Sequence, residues 1–111
     1  APMICPRDDM TGERARRWLG QCRSTEDVDI LCHRQLRHQP WAAELVGELS
    51  EREDADLLRY AAVRLAFNLV YKDAALGLRV ALAEAQRECP LTRHMASMLA
   101  EEARFVLNPE Q

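Results

Sequence analysis

The residues with the most chemical potential are four cysteines, Cys5, Cys22, Cys32 and Cys89, in a chain of 111 residues that begins with alanine. An even number of cysteines in a small chain is typical of a disulfide framework in an oxidising compartment, where each bridge stabilises by roughly 2–4 kcal/mol. If the missing methionine reflects natural processing, the removed piece is most simply an export signal. We therefore expect two disulfides and a periplasmic or secreted location, with a cytoplasmic protein carrying free thiols as the alternative.

Helix geometry narrows the possible pairings. If the turn at Ser24 is tight, Cys22 ends one helix while Cys32 lies about 10 Å along the next, so the two do not face each other. Cys5 and Cys22 are separated by most of the first helix. We expect Cys5–Cys32 with Cys22–Cys89; the pairing Cys22–Cys32 with Cys5–Cys89 stays open if the turn is loose.

A metal site is the main alternative use of these residues. Cys32, His33, Cys89 and His94 offer the thiol and imidazole ligands that zinc or copper accepts. No pair has the Cys-x2-Cys or His-x3-His spacing that places two ligands together, and the adjacent Cys32 and His33 point about 100° apart on a helix. We expect no metal and no cofactor, and keep a periplasmic metal-binding or metal-chaperone protein as the second hypothesis.

Composition and motifs exclude several other classes of function. The net charge of −3 does not supply the dense positive surface that nucleic-acid binding needs. No run approaches the ~18–20 apolar residues of a membrane span. The sequence has no Gly-x-Ser-x-Gly, His-Glu-x-x-His or glycine-rich phosphate loop, so we predict that the chain is not an enzyme.

The elements that must position these residues are helices. Apolar residues recur at spacings of three and four, and no alternating β-branched run indicates a strand. We predict an all-α, compact and irregular bundle of five to six antiparallel helices, with residues 1–10 as an extended arm, 11–107 as a single helical domain and 108–111 as a frayed tail. The predicted helices span about 11–22, Ser24 to Pro40, Pro40 to Leu49, a capping box at 50–53 to Val70, Asp73 to Glu88, and Thr92 to Val106. A break at 71–73 is favoured, and one kinked helix over residues 51–89 is the alternative.

An irregular bundle leaves grooves between helices where an apolar peptide face can lie. Trp41 begins a helix directly after Pro40, and its neighbours Arg37 and His38 could meet an acidic group, so these three are the predicted partner-binding residues. In size and helical class the chain resembles the small helical pilotins of bacterial secretion systems, which implies an architecture and no site residues. The predicted function is that of an exported protein-binding protein, such as a secretion chaperone, a pilotin-like adaptor, an inhibitor or an immunity protein.

Overall fold

The computed structural model describes residues 11–52 and 55–108, and the described residues are helical, without strands. This confirms the predicted all-α class, and the six α-helices of the described residues lie within the predicted range of five to six. A short 3-10 turn at Leu36–His38 separates the second helix from the third. The α-helices are α1 (Gly12–Gln21), α2 (Thr25–Arg34), α3 (Ala42–Ser50), α4 (Asp56–Asn68), α5 (Ala74–Ala85) and α6 (Pro90–Leu107).

Three of the helices begin at a side chain that satisfies an unpaired backbone amide. Thr11 accepts a hydrogen bond from the amide of Arg14, and the predicted cap Ser24 accepts one from Asp27 at 3.3 Å. Asp73 accepts from the amide of Leu76 at 3.1 Å, so the predicted break before α5 is confirmed. Such a cap stabilises its helix by about 1 kcal/mol, and each one depends only on residues three positions apart.

Two predicted helix starts are wrong. Ser50 ends α3, where its hydroxyl donates to the carbonyl of Gly47 at 2.9 Å, and α4 begins only at Asp56; Glu53 of the predicted capping box lies outside the described residues. Thr92 lies inside the first turn of α6, which begins at Pro90. Both hydroxyls make hydrogen bonds other than those of an N-cap, one to its own helix and the other to a side chain of α5.

Helix α4 is the centre of the packing and contacts α2, α3, α5 and α6. Its apolar side chains are buried around most of its circumference, including Ala61, Val63 and Leu65 at 0% exposure. A helix that is apolar on more than one face requires neighbours on more than one side. The other helices therefore surround α4, each with a single buried stripe.

The predicted disulfide Cys22–Cys89 is wrong, because both residues are free thiols. The sulfur of Cys22 lies 3.4 Å from the carbonyl oxygen of Trp18, a hydrogen bond within the same turn of the chain. Cys89 is buried at the N-terminus of α6. No bond therefore joins the sulfur atoms of Cys22 and Cys89.

Cys32 is also a free thiol, so the predicted bridge Cys5–Cys32 and the alternative Cys22–Cys32 are not formed. Its side chain is fully buried in the core, 4.0 Å from the carbonyl oxygen of Ala61 in α4. Cys5 lies outside the described residues. The predicted exported location gains no support from these bridges and stays a prediction.

The membrane prediction concerns helix length and polarity. Within residues 11–52 and 55–108, no helix has both the length and the apolar character that crossing a bilayer requires.

Candidate functional site

An open groove lies between α5 and α6, where the two helices pack against each other over most of their lengths. Their connection is tight: Glu88 adopts a positive φ of 54°, Cys89 is the N-cap residue and Pro90 is the first residue of α6. Proline suits that position because its missing amide would have no helical partner there. The short turn keeps α5 and α6 side by side.

Small residues allow the close approach of these helices. A Cβ added at Gly77 in α5 would lie 3.3 Å from a methyl carbon of Leu99 in α6. Farther along the two helices, several facing residues are alanines, and their small side chains leave a groove with a volume of about 310 Å³, here called the α5–α6 groove. Its lining residues are Ala81, Leu82, Glu84, Ala85, Glu88, Cys89, Arg93, Ala96, Ser97, Ala100, Glu101 and Arg104.

The groove has an apolar floor and a charged rim. Ala81 and Ala96 are buried at its base, while Leu82 on the α5 side is 43% exposed. Arg93 and Arg104 are exposed on α6, eleven residues apart, which at 1.5 Å per residue separates them by about 16 Å along one side. Among the residues that the structure describes, neither of these arginines makes an ion pair.

A buried ionic cluster at the base of the groove, centred on the lining residue Glu84, fixes the position of α5. Glu84 is 3% exposed, and one of its carboxylate oxygens accepts from Arg59 at 3.1 Å and from the hydroxyl of Thr92 at 2.8 Å. The other oxygen accepts from Arg87 at 3.2 Å. Because Arg59 lies in α4 and Thr92 in α6, a single carboxylate joins three helices.

The two arginines extend this cluster to the last residue of α3 and the segment after it. Arg59 donates to the carbonyl of Arg52 and pairs with Asp56, and Arg87 donates to the carbonyl of Ser50 at 2.6 Å. Burial lowers the pKa of Arg59, but its hydrogen bonds to Glu84 and Asp56 outweigh this effect and raise the pKa above its usual value. The guanidinium of Arg59 is therefore held as a charged group, and both carboxylate oxygens of Glu84 accept hydrogen bonds.

Sequence reasoning missed this cluster, although a signal existed. Glu84 follows the buried Val80 and Ala81 by four and three residues, and Arg59 precedes the buried Ala62 and Val63 by three and four. One charge of each sign thus interrupts a buried stripe. Opposite charges on two inward faces indicate a buried pair, because an unpaired buried charge is strongly destabilising.

A second polar contact connects α2 to α4. The hydroxyl of Tyr60 donates to Asp29 at 2.8 Å, and Arg64 lies 3.5 Å from the same carboxylate. Burial, then the hydrogen bond and charge of Asp29, raise the pKa of Tyr60 to about 12. Burial and the nearby Asp29 also raise the pKa of the Cys32 thiol. Because the thiolate is the reactive form of cysteine, Cys32 has the properties of a core residue.

The four residues of the metal hypothesis are placed separately. Cys32 and Cys89 are buried on α2 and at the start of α6, while His33 and His94 are exposed on the surface of those helices. Within the described part of the chain, no three side chains of His, Cys, Asp or Glu come close enough to hold a metal ion. The geometry gives no support to the second hypothesis.

The structure describes all three predicted partner-binding residues and gives a contact between two of them, Arg37 and His38. Trp41 is half-buried and packs against the hydrophobic core, immediately before α3. Arg37 donates from its Nε to Nε2 of His38 at 3.3 Å within the 3-10 turn. Arg37 and His38 also line a shallow depression with Lys72 of the α4–α5 turn. The role of Trp41 in binding stays a prediction.

Comparisons with protein families, with curated proteins and with solved structures found no match for this chain.

Proposed function

We propose that this chain is a protein-binding protein and that its α5–α6 groove receives an apolar segment of a partner. The observation that carries this proposal is the groove itself: an apolar floor of alanines with the half-exposed Leu82 beside it, supported from below by the buried Glu84 cluster. A groove between two helices held at a fixed spacing suits the apolar face of an amphipathic helix.

The rim charges define the chemistry of the partner. Arg93 and Arg104 lie on the α6 side of the groove, whose lining also includes Glu88 and Glu101, and the two arginines would pair with carboxylates, which favours a segment with acidic residues at both ends of one edge of its apolar face. If the segment is helical, acidic residues eleven positions apart match the arginine spacing of about 16 Å. The proposed partner segment is therefore amphipathic, short and acidic at both ends.

This proposal includes the class of protein predicted above: an adaptor, secretion chaperone, inhibitor or immunity protein that works by binding. The proposal also holds that the protein is not an enzyme and that it is exported. The buried carboxylate of Glu84 fits such a role, because its two oxygens are occupied by Arg59, Arg87 and Thr92 and serve to hold the helices.

A peptide selection tests the groove without knowledge of the natural partner. A display library of random helical peptides is panned on the immobilised protein, and bound peptides are sequenced. We expect enrichment of sequences with apolar residues between acidic ones. Isotope-labelled protein titrated with an enriched peptide should then show its largest amide shifts in α5 and α6.

Charge reversal of the rim is the specific control. Arg93→Glu and Arg104→Glu should each weaken the enriched peptide at least tenfold, whereas Arg79→Glu, at an exposed arginine of α5 outside the groove, should not. A selection that enriches no peptide, or amide shifts that map to α1 to α3, would contradict the proposed function.

A further inference from the structure

A second surface of α6 lies about a third of a turn around the helix from the centre of the groove. Leu91, Met98 and Phe105 are 42%, 42% and 58% exposed, and they are spaced by seven residues. Side chains seven residues apart lie almost in line along a helix, with a drift of about 20° for each interval. The three residues therefore form an apolar ridge about 21 Å long, here called the α6 ridge.

The residues that flank the ridge are arranged around Met98. On one flank, His94 precedes Met98 by four residues and Glu101 follows it by three. On the other flank, Met95 precedes Met98 by three residues and Glu102 follows it by four. The carboxylate of Glu102 accepts a hydrogen bond from the exposed Tyr71 of the α4–α5 turn, so a donor of the same chain already satisfies it.

We propose that the α6 ridge binds the α6 ridge of a second copy, in an antiparallel pair with a two-fold axis at Met98. In this pair Leu91 packs on Phe105 of the second copy, and Met98 packs on its own equivalent. In an isologous contact of this kind, each interaction away from the two-fold axis forms twice.

The charges select the antiparallel orientation. The imidazole of His94 faces Glu101 of the second copy, and the reciprocal contact forms at the other end of the ridge. Met95 covers Glu102 of the second copy, whose carboxylate is paired with Tyr71. In a parallel pair, Glu101 would face Glu102 of the second copy, and like charges facing each other oppose association.

The dimer is expected to be weak and dependent on concentration. Three side chains from each copy form a contact at the small end of protein interfaces, and association must offset the loss of translational and rotational freedom. The centre of the groove lies about a third of a turn from the ridge, and Glu101 is the groove-lining residue that the pair engages, so the floor of the groove remains open in the pair. Two copies would then present two grooves, which gives a partner with two segments a gain in avidity.

Sedimentation analysis over a wide concentration range tests the pair. The mass should rise from 12.7 kDa toward twice that value, and Met98→Glu should keep the protein monomeric. Ile30→Glu is the matched control, because Ile30 has a similar exposure of 43% but lies on α2; it should leave the dimer unchanged.

Charge exchange tests the orientation. His94→Glu alone and Glu101→Lys alone should each weaken the dimer at least fivefold. The double variant His94→Glu with Glu101→Lys should restore it, because the carboxylate introduced at position 94 then faces the lysine introduced at position 101 of the second copy. A monomer at every concentration, a dimer that Met98→Glu leaves intact, or a double variant weaker than both single ones would each overturn the proposal.

Discussion

The buried cluster around Glu84 gives the most demanding prediction about the stability of the fold. Its carboxylate accepts hydrogen bonds from Arg59, Arg87 and Thr92, and it is 3% exposed. Glu84→Leu removes this acceptor from the buried guanidinium of Arg59, whose contacts with Asp56 and the carbonyl of Arg52 do not depend on Glu84. Removal of one member of a buried ion pair costs about 3–5 kcal/mol.

We expect Glu84→Leu to lower the free energy of unfolding by about 4 kcal/mol, because three donors lose the same buried acceptor at once. Arg59→Met should cost about 3 kcal/mol, since Arg87 and Thr92 still satisfy the carboxylate. The double variant replaces the pair by apolar side chains, and its loss should be smaller than the sum of the single losses by about 2 kcal/mol.

Urea unfolding followed by far-ultraviolet circular dichroism measures these differences. For a slope of about 2 kcal/mol per molar urea, a loss of about 4 kcal/mol lowers the midpoint by about 2 M. Arg79→Met, at an exposed arginine of α5, is the matched control and should change stability by less than about 0.5 kcal/mol. Strictly additive losses, or a cost of Glu84→Leu below about 1 kcal/mol, would refute the assigned role of the cluster.

Three further predictions concern local features. Between pH 10 and 12 the unfolded chain loses the Tyr60 proton while the folded protein retains it, so the free energy of unfolding should fall in this window. Urea unfolding should show a smaller fall for Tyr60→Phe, and equal falls for the variant and the unchanged protein would contradict this. Gly47→Ala should stabilise the protein by about 0.5–1 kcal/mol because the added Cβ meets no atom within 4 Å, and Gly77→Ala should stabilise it less because the added Cβ lies 3.3 Å from Leu99. Equal increases in the urea midpoint for the two variants would refute the tight contact at Gly77. Without reductant, mass spectrometry after alkylation should show Cys22 labelled before the fully buried Cys32 in the native protein and both labelled on unfolding; a bridged pair would leave them unlabelled.

The helices could be predicted where local chemistry decides their limits. Ser24 and Asp73 cap the helices that follow them because each hydrogen bond needs only a side chain and an amide three residues later. Ser50 and Thr92 have the same chemistry but different partners. The hydroxyl of Ser50 bonds back to α3, and that of Thr92 bonds to Glu84 in α5, a contact that exists only after the helices pack.

The groove could not be predicted, because its residues look ordinary in the sequence. Ala83 and Ala85 are both exposed alanines of α5, two positions apart, yet only Ala85 lines the groove. The difference depends on which side of α5 the neighbouring helix occupies. The cysteine pairing failed for a related reason: Cys32 lies on an apolar stripe, and burial of that stripe against α4 places the thiol in the core.

The same pair of alanines allows the most direct test of groove binding. Ala85→Trp fills the groove with an indole ring, and Ala83→Trp places the same ring on the other side of α5. The affinity of a selected peptide is measured by isothermal titration for both variants and for the unchanged protein. Binding through the groove predicts at least a tenfold loss, about 1.4 kcal/mol, for Ala85→Trp and less than a twofold change for Ala83→Trp. Equal affinities of the two variants would contradict the proposed function.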